Sequence, residues 1–495
     1  MEKQTLKERT ANGLLWGVIH SGTTQVLNLV IGIFLARVLS PEEYGIIGVL
    51  TIFTTIAGDL QNSGFASALI NIRQPRKKDY DSVFSFNVYV SLVLYVALFF
   101  SAPFIADFFH QDCLTSVSRF VFLGFLLGSF GIAPGAYLTK NMMNREIAII
   151  GLVSLIMSGV IGVLMAVLGF SYWALAFQQV IYILMTTLGR FYYAKGWHPG
   201  FTLDFGPIKA MWRFSVKILV TTIFNDLSTN ILTVIFGRLF PLRSVGNYTQ
   251  AFKWNTMANS LVSNAISQIA QPVFVESAYS ESGGNVKDRE LQVFRKMFRF
   301  TCFVSMPLMF GLSLVSDEFI MITIGDNWKD CVPLLRIFCI SGAFMPLYIN
   351  YRHLAMSLGR SDIYMWLNIG QIVALIVLVF FCHAYGIYIM VCAYTVLTIS
   401  WLLPWHLWSG SLIQYGFVDM LKDMLPFALA SSIVMAVTYS ITSLFENIYL
   451  LIFLRIILAA LLYYAVMKVA RVQILKECEQ FLLKRIKKQT KHSGE

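Results

Sequence analysis

Long apolar runs alternate with short polar connections along almost the whole chain. A helix needs ~20 apolar residues to cross ~30 Å of hydrocarbon. Fourteen segments meet that requirement, near residues 14–38, 44–70, 82–106, 114–138, 146–168, 171–193, 214–237, 245–274, 299–324, 331–357, 363–383, 386–408, 425–444 and 449–469. The pattern predicts an all-α polytopic membrane bundle of about fourteen transmembrane helices.

The first two apolar runs are joined by a short turn with a helix-start signature. The first run ends at Arg37, a Ser-Pro-Glu-Glu turn follows, and Tyr44 and Gly45 open the second run. Pro41 suits the first position of a helix, where its missing N–H is not needed, and the two glutamates suit the positive end of the helix dipole. We therefore predict a transmembrane hairpin.

A similar hairpin occurs 201 residues later. The shift places Arg37 on Arg238 and Gly45 on Gly246, with Pro41 or Pro241 in each turn. Polar and small residues recur at helical spacing on the flanking helices of both copies. Six predicted helices separate the copies, so both enter the membrane from the same side and the repeat is parallel.

The repeat predicts how the chain is divided. We expect two pseudo-symmetric six-helix lobes at 1–195 and 205–408, an additional helix pair at 417–470 and a basic cytoplasmic tail at 471–495.

Charge orients the bundle. The chain is 57% hydrophobic and 13% charged, with a net charge of +11 that could indicate nucleic-acid binding. However, alternate connections hold 29 and 4 of the 38 lysines and arginines. By the positive-inside rule this predicts a multi-pass protein of the cytoplasmic (inner) membrane with both termini cytoplasmic, and it explains the basic charge without nucleic acid.

The polar stripes identify candidate binding residues. In lipid, polar side chains point at other helices or at water. The Ser, Thr and Gly positions are therefore as consistent with helix packing as with a binding surface. We predict a water-filled cavity lined by helices one, two, seven and eight. The candidate substrate-binding residues are Lys253, Arg37, Arg238, Gln25, Asn28, Asn225, Asn255 and Asn259.

Ionisable residues deep within the predicted helices are candidates for ion coupling. An ionised group there costs ~2.5–3.5 kcal/mol on insertion scales, so it should be paired or face a wet cavity. A structural Lys253–Asp226 pair is one reading, and ion coupling through Asp226, Asp59 and His20 is the other. A lone histidine such as His20 is more often a structural hydrogen-bonding residue.

No catalytic pattern stands out. HExxH, GxSxG and GxxxxGK[ST] motifs are absent, and the seven cysteines include no CxxC pair, so the sequence predicts neither an enzyme nor a cofactor or metal site. Without a nucleotide-binding loop, transport must be driven by an ion gradient, the substrate's own gradient or a partner.

Three stretches resemble a known family. FLARVLSPEEYGIIGVLTIF at 34–53, with DLQNSGFASALI at 59–70 and a basic loop after it, is similar to the opening of Wzx-type polysaccharide flippases, especially the colanic-acid branch. GNYTQAFKW at 246–254 lies at the place that family uses. These flippases belong to the multidrug/oligosaccharidyl-lipid/polysaccharide exporter superfamily.

The resemblance implies a function. It implies translocation of an undecaprenyl-diphosphate-linked oligosaccharide from the cytoplasmic to the periplasmic leaflet by alternating access, for O-antigen, capsule or exopolysaccharide synthesis, with polymerase or export machinery as possible partners. The related lipid II flippases carry cationic residues on helices one, two and eight. Here Lys253 matches in kind, whereas helix one offers His20 and Arg37 and helix two carries an acid, Asp59.

Two other functions stay open. A cation-coupled drug or toxin antiporter of the same superfamily would use the acids Asp59 and Asp226 as cation sites. A membrane polysaccharide polymerase or ligase would need a substantial outer loop, and the sequence predicts none.

Overall fold

The computed structural model describes residues 6–62, 64–201, 204–279 and 286–480. The side chains of residues 6–20 and of scattered other positions, Asn225 among them, lie outside the description. The described residues form helices and no β-strand, as the apolar runs predict. They divide into two compact units, 1–249 and 250–495.

The first unit contains nine helices and the start of a tenth among its described residues. These are α1 Leu6–Val38, α2 Pro41–Asn62, α3 Phe65–Asn71, α4 Lys77–Phe109, α5 Cys113–Ser129, α6 Ile132–Lys140, α7 Asn144–Val167, α8 Trp173–Tyr193, α9 Phe205–Leu239 and α10 Leu242–Tyr279, which continues into the second unit.

The rest of the described chain forms eight further helices. These are α11 Val286–Leu314, α12 Ser316–Thr323, α13 Cys331–Ser357, α14 Ser361–Cys382, α15 Ile387–Ser400, α16 Leu402–Ser409, α17 Phe417–Thr442 and α18 Ile448–Val469.

Ten helical segments of the described chain are long and apolar enough to cross a membrane, or eleven if α5 and α6, which meet at 44°, form one bent span. Helices α8, α9 and α10 are not among them, although they are 21, 35 and 38 residues long. Polar residues lower the hydropathy of α8 and α10, whereas α9 is described only in part and its described stretch Thr229–Leu239 is apolar. With these three helices the total would reach fourteen, a number that stays a prediction.

The first unit holds its connection between α8 and α9 against the start of α4. The indole N–H of Trp197 and the backbone N–H of Gly200 donate to Asp81 Oδ1 at 2.9 and 3.1 Å. Farther along, Asp204 caps α9 by accepting from the backbone N–H of Gly206, and it forms an ion pair with Lys78. The hydrogen bond from Lys78, followed by that from Gly206, lowers the pKa of Asp204.

In the second unit, a buried carboxylate joins α17 to α11. Asp423 is 1% exposed and accepts from Arg295 Nε and Arg299 Nε, each at 2.7 Å, and from the Tyr415 hydroxyl at 2.9 Å. Because every donor reaches the same carboxylate, this network fixes the N-terminal part of α17 on the unit by directional bonds as well as by apolar packing.

Candidate functional site

Both turns predicted from the sequence are present, and a new helix begins directly after each of them. Helix α2 starts at Pro41. The Ser40 backbone N–H donates to Glu43 Oε2 at 2.6 Å, and the Glu43 N–H donates to Ser40 Oγ at 3.4 Å, which is a capping box. In the second hairpin, Pro241 O accepts from the N–H groups of Ser244 and Val245. The predicted helix start at Pro41 is confirmed, and the second turn also opens a helix, whereas packing of the two arms of each hairpin stays a prediction.

The starts of α2 and α10 pack against each other through glycines, an arrangement that we call the hairpin contact. A Cβ on Gly45 would overlap the carbonyl oxygen of Leu242, and a Cβ on Gly246 would overlap that of Pro41. Only glycine allows the backbones to approach this closely.

The hairpin contact is reciprocal under the 201-residue shift. The shift places Pro41 on Leu242 and Gly45 on Gly246, so each copy makes the other's contact. Gly48 lies against Thr249, the residue on which the shift places Gly48 itself. Such i-to-j and j-to-i pairing is what a two-fold axis produces, and it places the Gly48–Thr249 contact close to a local pseudo-two-fold axis.

Charged residues surround this contact. Arg238 donates to the carbonyl of Phe108 at 2.6 Å and contacts His110, so it is held by the turn after α4. Arg37 is exposed. Arg243 forms an ion pair with Glu42 at 3.6 Å, which the sequence reading did not include. The same shift could have found this pair, because it places Glu42 on Arg243.

Two of the three candidate ion-coupling residues lie side by side. The carboxyl group of Asp59 on α2 lies beside that of Asp226 on α9, within the first unit. Two ionised carboxylates in contact would repel each other, so the ion-coupling role of this pair stays a prediction that a bound proton or cation would fulfil. The side chain of His20, the third candidate, is outside the described part of the chain.

The candidates on α10 lie on different faces of that helix. Lys253 is exposed, whereas Asn255 and Asn259 are buried against α13, with Asn259 Nδ2 donating to Gly342 O at 3.0 Å. Positions two apart on a helix face nearly opposite directions, while positions four apart share a face. The structure thus brings the two asparagines together in packing and separates them from the lysine.

The candidates on α1 and α9 complete the set. Asn28 is exposed and Gln25 is partly buried, one turn apart on α1. The side chain of Asn225 lies outside the described residues. The binding roles proposed for all of these residues stay predictions.

An apolar groove occupies the second unit between α11, α17 and α18. It encloses about 680 Å³ and is lined by Pro307, Leu312, Ile456, Ala460 and other largely apolar side chains. Arg455, which also lines the groove, is buried and donates from Nη1 to Glu318 Oε1 at 2.6 Å. Sequence hydropathy could not reveal the groove, because lipid-facing and groove-facing residues are equally apolar.

Comparisons with known proteins agree with this architecture. Residues 34–333 match the family described as polysaccharide biosynthesis protein. The teichuronic acid biosynthesis protein TuaB of Bacillus subtilis is 24% identical over 370 residues, or 74% of this chain and 75% of TuaB. The lipopolysaccharide biosynthesis protein WzxC of Escherichia coli is 22% identical over 74% of this chain and 73% of its own. The succinoglycan biosynthesis transport protein ExoT of Rhizobium meliloti is 24% identical over 72% of this chain and 71% of ExoT.

Solved structures show the same fold at low sequence identity. The lipid II flippase MurJ in its inward closed conformation matches with a TM-score of 0.76 at 15% identity, over 93% of this chain and 100% of MurJ. An inward-facing multidrug resistance transporter of the MATE family matches with a TM-score of 0.63 at 13% identity, over 79% of this chain and 94% of that chain. Both are polytopic helical membrane proteins.

Proposed function

The chain belongs to the polysaccharide biosynthesis protein family, and from this premise we propose that it is a flippase that moves an undecaprenyl-diphosphate-linked oligosaccharide from the cytoplasmic to the periplasmic leaflet. The observation that carries the proposal is the hairpin contact. Two equivalent helix starts meet reciprocally at the end that charge distribution assigns to the periplasm, so one movement can part both copies together.

The chemistry of the hairpin contact suits a gate. Its core is glycine against backbone carbonyl, with few interlocking side chains to unpack. The accompanying Glu42–Arg243 pair is about half exposed, and exposed pairs contribute only ~0–1 kcal/mol. A contact of this kind closes tightly yet separates at low energetic cost, as alternating access requires.

The polar and apolar surfaces suit the two halves of the proposed substrate. The groove of the second unit is apolar and about 680 Å³ in volume, which fits part of a prenyl chain. Exposed polar residues such as Asn28 and Lys253 suit sugar hydroxyls and an anionic diphosphate. On this proposal the protein is a transporter without catalytic activity, located in the inner membrane with both termini cytoplasmic.

The Asp59–Asp226 pair supplies a means of coupling. Binding of a proton or cation would remove the repulsion between the carboxylates and so favour close packing of α2 on α9. Export would then depend on an ion gradient. The same pair favours a second candidate function, cation-coupled drug export, in which it would bind the drug or the coupling ion.

Leaflet position of the lipid-linked glycan tests the proposal. In spheroplasts depleted of the protein, we expect completed lipid-linked glycan to be protected from membrane-impermeant periodate, because it stays in the cytoplasmic leaflet. Re-expression should restore access. Normal surface export in a clean deletion without a paralogue would overturn the proposal, and increased drug sensitivity with normal export would support the antiporter.

A further inference from the structure

A second cavity, with a lining of mixed polar and apolar residues, lies entirely within the first unit and was not predicted from the sequence. It encloses about 590 Å³ between α2, α3, α5, α6, α7 and α8, and we call it the α8 cavity. Glycines line it on four of these helices, at Gly58, Gly124, Gly128, Gly135 and Gly151. Missing side chains thus create space of the size that small ligands occupy.

One arginine projects into this space. Arg190, in the last turn of α8, lines the cavity and donates from Nη1 to the carbonyl of Gly131 at 3.1 Å. Its guanidinium lies against α6 at Gly135, where an added Cβ would come within 3.2 Å of Arg190 Cζ. The glycines therefore hold the arginine inside the lobe and not at the lipid surface.

The charge of Arg190 has no counter-charge in the described structure. It is the only Asp, Glu, Lys or Arg in the cavity lining, and none of the ion pairs among the described residues includes it. A cation within a membrane helix bundle needs an anion or water next to it. A cavity that supplies space but no carboxylate is suited to an anionic ligand.

Hydrogen-bond donors are aligned with the arginine. Tyr182 and Thr186 precede Arg190 at intervals of four residues and therefore share its face of α8. The Thr186 hydroxyl is buried without a hydrogen-bond partner among the described residues. A planar guanidinium on the same helix face as the unpartnered Thr186 hydroxyl suits a phosphate group, which accepts several hydrogen bonds at once.

We propose that the α8 cavity binds the phosphate group of a membrane lipid through Arg190 and Thr186. Resting on the proposed function, we assign that lipid as the prenyl diphosphate carrier of the glycan. Arg190 lies at the end of α8 that the charge distribution makes cytoplasmic, so the cavity would receive the diphosphate where the lipid-linked glycan is made. This places a cationic anchor on α8, whereas helix one offers His20 and Arg37 and helix two carries an acid, Asp59.

Binding of farnesyl diphosphate to the purified full-length protein in nanodiscs tests the proposal. We expect Arg190→Gln to weaken binding about 10- to 100-fold, because a charge-assisted hydrogen-bond pair is lost. Arg190→Lys should keep part of the affinity, since a lysine retains the charge without the bidentate fork. Thr186→Val should weaken binding by a smaller factor.

Two further variants separate binding from folding. Lys195→Gln removes a cation five residues away that is exposed and lies over the Tyr192 ring, so it should leave binding unchanged. Gly58→Leu fills the cavity from α2, where a Cβ would meet nothing within 4 Å. It should abolish binding while thermal stability is retained, since leucine favours helix more than glycine does.

Each outcome decides the proposal. Equal affinity for farnesol and farnesyl diphosphate, or unchanged binding in both Arg190→Gln and Gly58→Leu, would overturn it. Tighter Arg190-dependent binding of phosphatidylglycerol would keep the phosphate site but overturn the carrier assignment. If binding fails these tests while depleted cells still retain glycan in the cytoplasmic leaflet, this inference falls and the flippase proposal stands.

Discussion

The hairpin contact of the first unit and the α12–α18 contact of the second are both close, but different chemical groups form them. The first brings glycine against backbone carbonyl, beside an ion pair whose side chains are 53% and 45% exposed. The second buries Arg455 and Glu318 with side chains only 6% and 7% exposed. Separating the first contact exposes little charge, whereas separating the second leaves two buried ions without their partners. On the proposed function, the first contact suits a surface that separates during transport and the second a surface that stays closed.

A covalent lock on the hairpin contact should have the largest effect. A Cβ at Gly48 would lie 3.7 Å from Thr249 Cβ, which is within the range that disulfides adopt. We expect Gly48→Cys with Thr249→Cys, in a chain without other cysteines, to cross-link on oxidation and to stop glycan export completely. Reduction should restore export.

The single cysteine variants serve as controls and should export normally under oxidising conditions. Full export with a quantitative cross-link would show that this contact does not open during transport.

Breaking the buried pair of the second unit should cause the next largest effect, on stability. Arg455→Met leaves Glu318 buried without its partner, which costs ~3–5 kcal/mol. The neighbouring pair of Asp317 with Arg336 is 49% and 45% exposed, so Arg336→Met should cost only ~0–1 kcal/mol. Thermal unfolding in detergent, followed by size-exclusion chromatography, compares the two.

The double variant Glu318→Gln with Arg455→Met provides the control, because it removes both ions and should regain much of the lost stability. Equal losses in Arg336→Met and Arg455→Met would remove the contrast between exposed and buried pairs.

Adding a methyl group to the hairpin contact should have an intermediate effect. Gly246→Ala forces a Cβ against Pro41 O, an overpacking that costs ~1–3 kcal/mol and favours the separated state. We expect reduced export and faster maleimide labelling of a cysteine at Thr249. Gly22→Ala, where a Cβ meets nothing within 4 Å, should change neither property.

The smallest effect is expected at the exposed ion pair of the hairpins. Glu42→Gln should reduce stability by less than ~1 kcal/mol and should leave export nearly unchanged, because water screens the pair. A large loss of export in Glu42→Gln, together with normal export in the charge-swapped variant Glu42→Arg with Arg243→Glu, would show that the pair holds the gate shut. That result would weaken the contrast.

The local structure at some residues could be predicted from the sequence, and the physical reason can be named in each case. Pro41 and the two glutamates after it predict a helix start from local backbone chemistry, and the structure has one there. The spacing of four residues between Asn255 and Asn259 puts both on one face of a helix, because periodicity fixes relative direction. Periodicity does not say what that face meets, and in the structure it meets Gly342 of α13.

The sequence alone therefore determined the membrane class, the helical fold, the repeated hairpin and the family. Each depends on local composition or on similarity along the chain. Tertiary structure alone decided that Gly45 and Gly246 meet the opposite turn, that Asp59 lies beside Asp226, and that Arg190 occupies a cavity instead of the lipid surface. These features depend on which helices become neighbours, and in a bundle whose lipid-facing and buried surfaces are equally apolar, hydropathy carries no information about neighbours.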